Sequence, residues 1–342
     1  MKKCLGCGIL LQSQNNQKEG YVVDIKQDLC QRCFQVTHYH KINKINPALM
    51  ESGNIVLDKI SKLEGCLCYV MDIFMFENSK IYPLHRYLNQ REITLILTKS
   101  DLMPKTLKVH KIRKLVLEWI KESHLNINQV FILGNFGKEG LDQLLEYLKP
   151  FKQVVFLGCP NVGKSTLLKA IVPNSKVTIS TIPNTTLDFI YYQLNNQTII
   201  DTPGIALKSS LLNHLDVELI DKILVKKRVK PKVFQIKGKQ VIVIDGFCSL
   251  IIQCNEMVSV VVYVSNNLYV GRHSLEKYQK GLLLENLLYN SQKEKRVKFS
   301  KLLHHDIILD GIGFVAISSK EAIDIEVVCD QYLDLAIRKA LI

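Results

Sequence analysis

The sequence has no apolar run long enough to cross a bilayer, which argues against a protein anchored by a spanning helix. The first apolar stretch ends at Leu11, and the strongly polar residues 12–16 follow it. That stretch is too short for the hydrophobic part of a secretory signal. We therefore expect a cytoplasmic protein that does not act on a membrane. Its 342 residues are enough for two or three domains.

Acidic residues are in deficit. Lys and Arg number 45 against 32 Asp and Glu, which gives a formal net charge of +13. The basic excess occurs in the N-terminal, central and C-terminal parts of the chain alike. A charge of this sign and size favours a polyanionic partner such as RNA. A generally basic, soluble surface is the alternative interpretation.

Because we expect a cytoplasmic protein, its 10 cysteines indicate metal binding or core packing rather than disulfides. Four of them form two Cys-x-x-Cys pairs, and together they predict a structural zinc site with the ligands Cys4, Cys7, Cys30 and Cys33. His38 and His40 are alternative ligands, and two redox or incidental pairs are the competing interpretation. About 40 residues with few apolar side chains need such an ion to fold.

A glycine-rich loop, residues 158–165, follows the apolar run 154–157 and precedes a helical segment, residues 166–172. This strand, loop and helix order predicts a phosphate-binding loop at a helix N-terminus. We expect Lys164 to reach the β- and γ-phosphates and the Ser165 hydroxyl to hold Mg²⁺. The nucleotide contacts predicted from this loop are Gly158, Asn161, Val162, Gly163, Lys164, Ser165 and Thr166.

The next motif is Asp201-Thr202-Pro203-Gly204, after the apolar strand 197–200. Asp201 is predicted to hold Mg²⁺ through its water shell, and the Gly204 N–H to sense the γ-phosphate. The loop 183–188 lies between the two motifs, and we favour its Thr186 for closing on Mg²⁺ and the γ-phosphate. The predicted catalytic set is Lys164, Asn161, Thr186 and Gly204, and Ser165, Thr186 and Asp201 are the predicted Mg²⁺ ligands.

The sequence lacks a guanine-reading [Asn/Thr]-Lys-x-Asp motif after Gly204, where a GTPase normally carries it. A match lies upstream instead, where Thr98, Lys99 and Asp101 follow the apolar strand 94–97. Asp101 can accept hydrogen bonds from guanine N1–H and its exocyclic amine, and the Lys99 stem can lie along the base. Either the match is accidental or the domain is circularly permuted, and we favour permutation. Residues 134–136 lack the usual Ser-Ala-Lys, so base contacts from that loop are left open.

We therefore predict an α/β fold: a circularly permuted P-loop GTPase domain with an N-terminal Cys4 zinc finger and a β-rich α+β C-terminal domain. The expected boundaries are 1–46, 47–212 and 213–342. Because the switch after Gly204 leads directly into the third segment, we expect γ-phosphate contacts to reposition it.

The C-terminal segment has two basic stretches, 226–239 and 293–301. They favour contacts to RNA backbone, with a solvated linker as the alternative for the first. We predict strands at 241–244, 258–264, 268–270 and 307–309 and a helix near 275–289. No internal repeat is evident.

Several segments together resemble the bacterial YqeH family of circularly permuted GTPases, which take part in assembly of the small ribosomal subunit. The resemblance covers essentially the whole chain. It includes the two cysteine pairs with His38-Tyr39, the permuted motifs and the segments 72–74, 263–269 and 338–342.

This resemblance implies which partners the protein binds and how fast it hydrolyses GTP. The partners would be the 30S subunit or its precursors and rRNA, and the intrinsic GTPase would be slow until stimulated on the ribosome. Ile205 occupies the place of a water-positioning glutamine. In related GTPases an asparagine of the phosphate loop helps to hold K⁺ near the β–γ bridge, and Asn161 is the matching residue. Two rivals remain: a zinc-stapled RNA-binding scaffold that binds GTP with little turnover, and an ATPase, which Asp101 argues against.

Overall fold

The structure is a computed structural model of the chain. It describes residues 11–14, 21–24, 26–27, 48–81, 84–88, 91–134, 138–172, 178–181, 189–194, 196–205, 211–281, 289 and 293–341. Within these ranges, no helix is both long enough and apolar enough to cross a membrane.

The first sheet has seven strands in the order β3-β2-β1-β4-β7-β6-β5. Five are parallel, and β6 and β5 add to the edge in antiparallel fashion. Their bounds are β1 Cys66–Asp72, β2 Glu92–Thr98, β3 Asn126–Ile132, β4 Gln153–Gly158, β5 Thr178–Thr181, β6 Ile190–Leu194 and β7 Gln197–Asp201.

Helices cover both faces of this sheet, as the continuous apolar runs of its central strands require. They are α1 Ala48–Ser61, α2 Leu84–Leu88, α3 Val109–Ser123, α4 Lys138–Leu148 and α5 Lys164–Ile171. Alternate residues of β1 enter opposite cores: Tyr69 packs with α1–α3, and Val70 packs with α4 and α5. The predicted strands at 94–97, 154–157 and 197–200 and the helix after residue 165 are confirmed.

The second sheet has six antiparallel strands in the order β10-β8-β9-β12-β11-β13. Their bounds are β8 Lys232–Ile244, β9 Cys248–Val264, β10 Val270–Ser274, β11 Glu294–Leu309, β12 Gly313–Asp330 and β13 Leu335–Lys339. Two short helices accompany it, α6 Val217–Ile223 and α7 Leu275–Gln279. One apolar core fills its inner face and also receives Leu211 and Leu215 from the segment before α6.

This sheet is an internal repeat, so the expectation of no repeat is wrong. Strands β10 and β13 begin at Val270 and Leu335 and end at Ser274 and Lys339, both 65 positions apart. The turn pairings Ile244↔Cys248 and Leu309↔Gly313 have the same offset. Thus β8-β9-β10 and β11-β12-β13 are two copies of one three-strand unit, joined through β9 and β12.

Backbone hydrogen bonds follow the repeat as well. The Asp245 N–H donates to Tyr269 O at 2.8 Å, and the Asp310 N–H donates to Asp334 O at 3.0 Å. Few residue identities survive between the copies, an Asp-Gly turn at 245–246 and 310–311 among them. The two copies therefore share strand register and burial pattern more than residue identity.

The two sheets pack against each other mainly through the second copy. The ring of Phe314 lies 5.8 Å from Phe74 of the first sheet's domain and is stacked 4.6 Å from Tyr263. Ile308, Phe314 and Leu341 belong to the same buried cluster as α1–α3. One apolar core thus spans both sheets.

Three expectations for the C-terminal segment need correction. The strand predicted at 307–309 starts much earlier, because β11 also takes in most of the basic stretch 293–301. Lys232, Lys237 and Lys239 of the first stretch lie on β8. The helix expected at 275–289 is shorter: α7 ends at Gln279, residues 280–281 form a turn, and residues 282–288 lie outside the described ranges.

Candidate functional site

The phosphate loop turns sharply between β4 and α5. Asn161 and Gly163 have positive φ angles of 63° and 90°, in the region that glycine and asparagine tolerate best. Gly158 lies so close to β1 that an added Cβ would be 2.5 Å from Val70 O. The loop therefore needs glycine at 158 and 163 for packing and backbone reasons. The N-terminus of α5 lies directly behind it, where backbone N–H groups favour anions.

Lys164 and Asp201 lie in contact at the centre of the site. The Lys164 amine donates to Asp201 Oδ1 and to the Thr202 carbonyl, and both charged side chains are largely buried. The Thr202 N–H donates to Phe156 O at 3.2 Å. Strand β4 therefore fixes the second motif beside the first, as expected.

Gly204 is held close to the phosphate loop. The Ile205 N–H donates to Gly158 O at 3.0 Å, and a Cβ on Gly204 would lie 3.1 Å from Pro160 N. The Ile205 side chain, 1% exposed, packs into the core. It therefore contributes no polar group that can orient water.

The upstream motif reaches the phosphate loop directly. The Thr98 hydroxyl donates to Val162 O and, at 3.2 Å, to Met71 O. The Lys99 amine donates to Asn161 O at 2.6 Å. Sixty residues separate the motifs along the chain, but β2 and β4 end at the same edge of the sheet, on either side of β1. The structure thus brings together the two motifs that the sequence paired.

Asp72 is a site residue whose role sequence reasoning missed. It ends β1, is 4% exposed, and accepts the Lys99 amine at 2.7 Å through Oδ2. Its Oδ1 accepts the N–H groups of Phe74 at 2.9 Å and Met75 at 3.2 Å. An acidic residue at the end of an apolar strand, beside the motif-bearing strands, was the available signal.

Gly134 begins the loop from which base contacts were left open by the sequence. An added Cβ there would lie 2.3 Å from Ser100 Oγ, and the Ser100 N–H donates to Leu133 O at 3.1 Å. The loop therefore starts against the upstream motif, although residues 135–136 lie outside the described ranges.

Cys159 adds no charge to the phosphate loop. Burial, and to a lesser degree the Asp310 carboxylate, raises the pKa of its thiol to about 12. The thiol is therefore neutral near neutral pH.

Five predicted ligands lie outside the described ranges: Cys4, Cys7, Cys30, Cys33 and Thr186. In the part of the chain that is described, no group of three or more His, Cys, Asp or Glu residues is placed to hold a metal ion. The zinc prediction thus stays a prediction.

The seven-stranded sheet and the phosphate loop after β4 define a P-loop GTPase domain. The family model of the 50S ribosome-binding GTPase matches residues 153–266, which start at β4 and end in the turn after β9. The chain is 28% identical to the uncharacterized protein YqeH of Bacillus subtilis, with 92% of each chain covered, so the predicted resemblance is confirmed.

Two further relatives match over shorter spans. A putative nitric oxide synthase of rice is 27% identical over 60% of this chain, which spans 44% of that protein. GTPase Der of Buchnera aphidicola is 32% identical over 36% of this chain, which spans 31% of that protein.

Proposed function

We propose that the chain is a circularly permuted, Mg²⁺-dependent GTPase that hydrolyses GTP to GDP and phosphate. We further propose that it assists assembly of the small (30S) ribosomal subunit in the cytoplasm. The observation that carries the nucleotide part is the direct bonding of Thr98 and Lys99 to the phosphate loop. A chance match to the motif could lie anywhere on the protein, whereas a base-reading loop must lie beside the phosphate loop.

Permutation is compatible with this site because ligands of doubly wound sheets bind outside the carboxyl ends of the strands. Strands β2, β4 and β7 end at Thr98, Gly158 and Asp201, and each of those ends carries a motif. Strand order along the chain does not affect that edge. We keep the proposed division of the chain at 46–47 and 212–213.

Each residue has a proposed role. Asp101 accepts from the guanine edge, Lys164 contacts the β- and γ-phosphates, and the Gly204 N–H binds the γ-phosphate. Oxygen ligands suit Mg²⁺, and the buried Asp201 carboxylate beside Lys164 fits that requirement. Ser165, Thr186 and Asp201 would hold the ion, which neutralises phosphate charge when bound.

Slow intrinsic turnover is proposed because Ile205 is buried in the core and cannot position water. A second source of charge is then needed, and we assign it to K⁺ held with the help of Asn161. Turnover that does not respond to ribosomal subunits at all would favour the scaffold alternative.

The switch is proposed to act on the C-terminal sheet. Ile205 packs in the first core and Leu211 in the second, with only residues 206–210 between them. His214 stacks on Tyr332 of the second repeat at 3.6 Å. A change at Gly204 therefore has a short path to that repeat. Identical proteolysis of residues 211–342 with GDP and with a GTP analogue would contradict this coupling.

The N-terminal segment is proposed to bind one structural Zn²⁺ through Cys4, Cys7, Cys30 and Cys33. The basic C-terminal sheet is proposed to contact rRNA. Native mass spectrometry tests the first statement, because the intact chain should carry one zinc ion and a Cys4→Ser, Cys7→Ser variant none.

Co-sedimentation with purified 30S and 50S subunits tests the ribosomal part. We expect binding to 30S with a non-hydrolysable GTP analogue, weaker binding with GDP, and faster GTP turnover when 30S is present. The family model's description names the 50S ribosome, so selective 50S binding is the informative opposite result. Equal or absent binding in both nucleotide states would reject a nucleotide-controlled assembly factor.

A further inference from the structure

The segment that leads into the second sheet lies against the base-reading loop. Arg228 Nε donates to the Asp101 carbonyl at 3.0 Å, and the Val229 N–H donates to the Leu102 carbonyl at 3.0 Å. The Val229 side chain is 2% exposed and packs into the core shared by both sheets. The linker is therefore fixed at this point by hydrogen bonds and by burial.

Asn266 holds the same linker from its other side. Asn266 Oδ1 accepts the Lys230 N–H and its Nδ2 donates to the Arg228 carbonyl, both at 2.9 Å. Asn266 lies in the turn between β9 and β10, so it belongs to the first repeat. Arg228 thus lies between the C-terminal sheet and the base-reading loop.

The second repeat joins the two equivalent positions as well, there through a backbone donor and not through a side-chain amide. At the positions 65 residues later, the Gln331 N–H donates to the Lys293 carbonyl at 2.9 Å. In both copies the turn after the second strand donates a hydrogen bond to the segment that precedes the first strand. Only the first copy's entering segment continues onto the loop that carries Asp101.

The other anchors of that loop come from the first sheet. Thr98 is held by β1 and the phosphate loop, and Ser100 is held by Leu133. The Asp101 and Leu102 carbonyls are held by Arg228 and Val229. A carboxylate that must meet two N–H groups on a flat base edge tolerates little rotation of its backbone.

We propose that Arg228, clamped by Asn266, is a positioning residue for Asp101, so that guanine selectivity depends on the docked C-terminal sheet. This inference rests on the proposed base-reading role of Asp101. It predicts a second connection between nucleotide and C-terminal sheet, separate from the γ-phosphate path. GDP and GTP share the base, so both stabilise the clamp, and docking in turn strengthens guanine binding.

The experiment compares the affinities of the full chain for GDP and IDP. Inosine lacks the exocyclic amine, so a correctly placed Asp101 makes two hydrogen bonds to GDP and one to IDP. Arg228→Ala should weaken GDP binding about 3- to 10-fold, the effect of losing one hydrogen bond. IDP binding should weaken less, so the GDP/IDP preference should fall.

Two further variants make the test specific. Asn266→Ala keeps the Arg228 side chain but removes the two hydrogen bonds that hold the backbone at residues 228–230. Like Arg228→Ala, it should lower the GDP/IDP preference. Lys227→Ala removes the same charge from an exposed side chain one position earlier and should leave the preference unchanged.

Equal weakening of GDP and IDP binding, or none, would overturn the proposal, because a purely structural role does not distinguish the bases. An effect of Lys227→Ala as large as that of Arg228→Ala would overturn it as well. Asp101→Asn separates this from the underlying assignment, since it should shift preference from GDP toward XDP. If that shift is absent, the base site itself is wrong. If it occurs while Arg228→Ala and Asn266→Ala keep the wild-type preference, only the positioning role fails.

Discussion

Replacing Asp72 should show how much the base-reading loop depends on one ion pair. Asp72 Oδ2 and the Lys99 amine lie 2.7 Å apart, and their side chains are 6% and 25% exposed. Asp72→Asn keeps an oxygen for the Phe74 and Met75 N–H groups but removes the charge that faces Lys99. The change therefore isolates the ion pair.

The expected loss follows from burial. Breaking a fully buried pair destabilises a protein by about 3–5 kcal/mol, because the remaining charge stays unpaired. Lys99 is a quarter exposed, so water screens part of this effect. We therefore expect the free energy of unfolding to fall by about 2 kcal/mol. GDP affinity should also fall, by up to about tenfold, because Lys99 loses the partner that holds its stem beside the base site, and 1.4 kcal/mol of binding free energy corresponds to a factor of ten. Asp72→Ala should be worse, because two buried N–H groups also lose their acceptor.

The chain offers a matched control on α1. Lys62 and Asp58 also lie 2.7 Å apart, but their side chains are 71% and 56% exposed. Asp58→Asn should change unfolding free energy by about 0.5 kcal/mol or less. Urea unfolding and fluorescent GDP titration measure both effects. Equal losses for the two variants, or unchanged GDP affinity in Asp72→Asn, would refute the reasoning from burial.

Three further predictions concern catalysis, pH and docking. Asn161→Gly keeps the positive φ angle but removes the amide, so GTP turnover should lose its preference for KCl over NaCl; a retained preference would reject the K⁺ role. Burial raises the pKa of Asp306 above its usual value of 3.8, and this outweighs the opposite effect of Arg338. Folding therefore favours the protonated carboxyl, and this contribution to stability is lost as pH rises through the folded pKa. Asp306→Asn should remove that part of the pH dependence in urea unfolding from about pH 4 upward, and an unchanged profile would contradict this. Phe314→Ala should lower unfolding free energy by about 3–5 kcal/mol, because the 1%-exposed ring packs between both sheets. The exposed Leu303→Ala is its control, and a similar loss there would show that docking is not what Phe314 supports.

The sequence alone determined the local elements of the nucleotide site. Short apolar runs before residues 98, 158 and 201 predicted β2, β4 and β7, because buried parallel strands need continuous apolar sequence. Gly158 and Gly163 predicted a tight loop, since their backbone positions exclude larger residues. The motifs could be placed because each depends on neighbours in sequence.

Only the tertiary structure decided which distant residues meet. Its place at the end of an apolar strand could have marked Asp72 as a site residue, but not its pairing with Lys99. Nothing near Arg228 predicts its bond to the Asp101 carbonyl. The repeat of the C-terminal sheet is not visible in the sequence for a related reason. Two strand units can keep the same hydrogen-bond register and alternate burial with different side chains, since an antiparallel ladder is built from backbone groups. In sequence, a solvated linker stayed open as the alternative for the basic stretch 226–239, and only its pairing with β9 shows that Lys232, Lys237 and Lys239 lie on a strand.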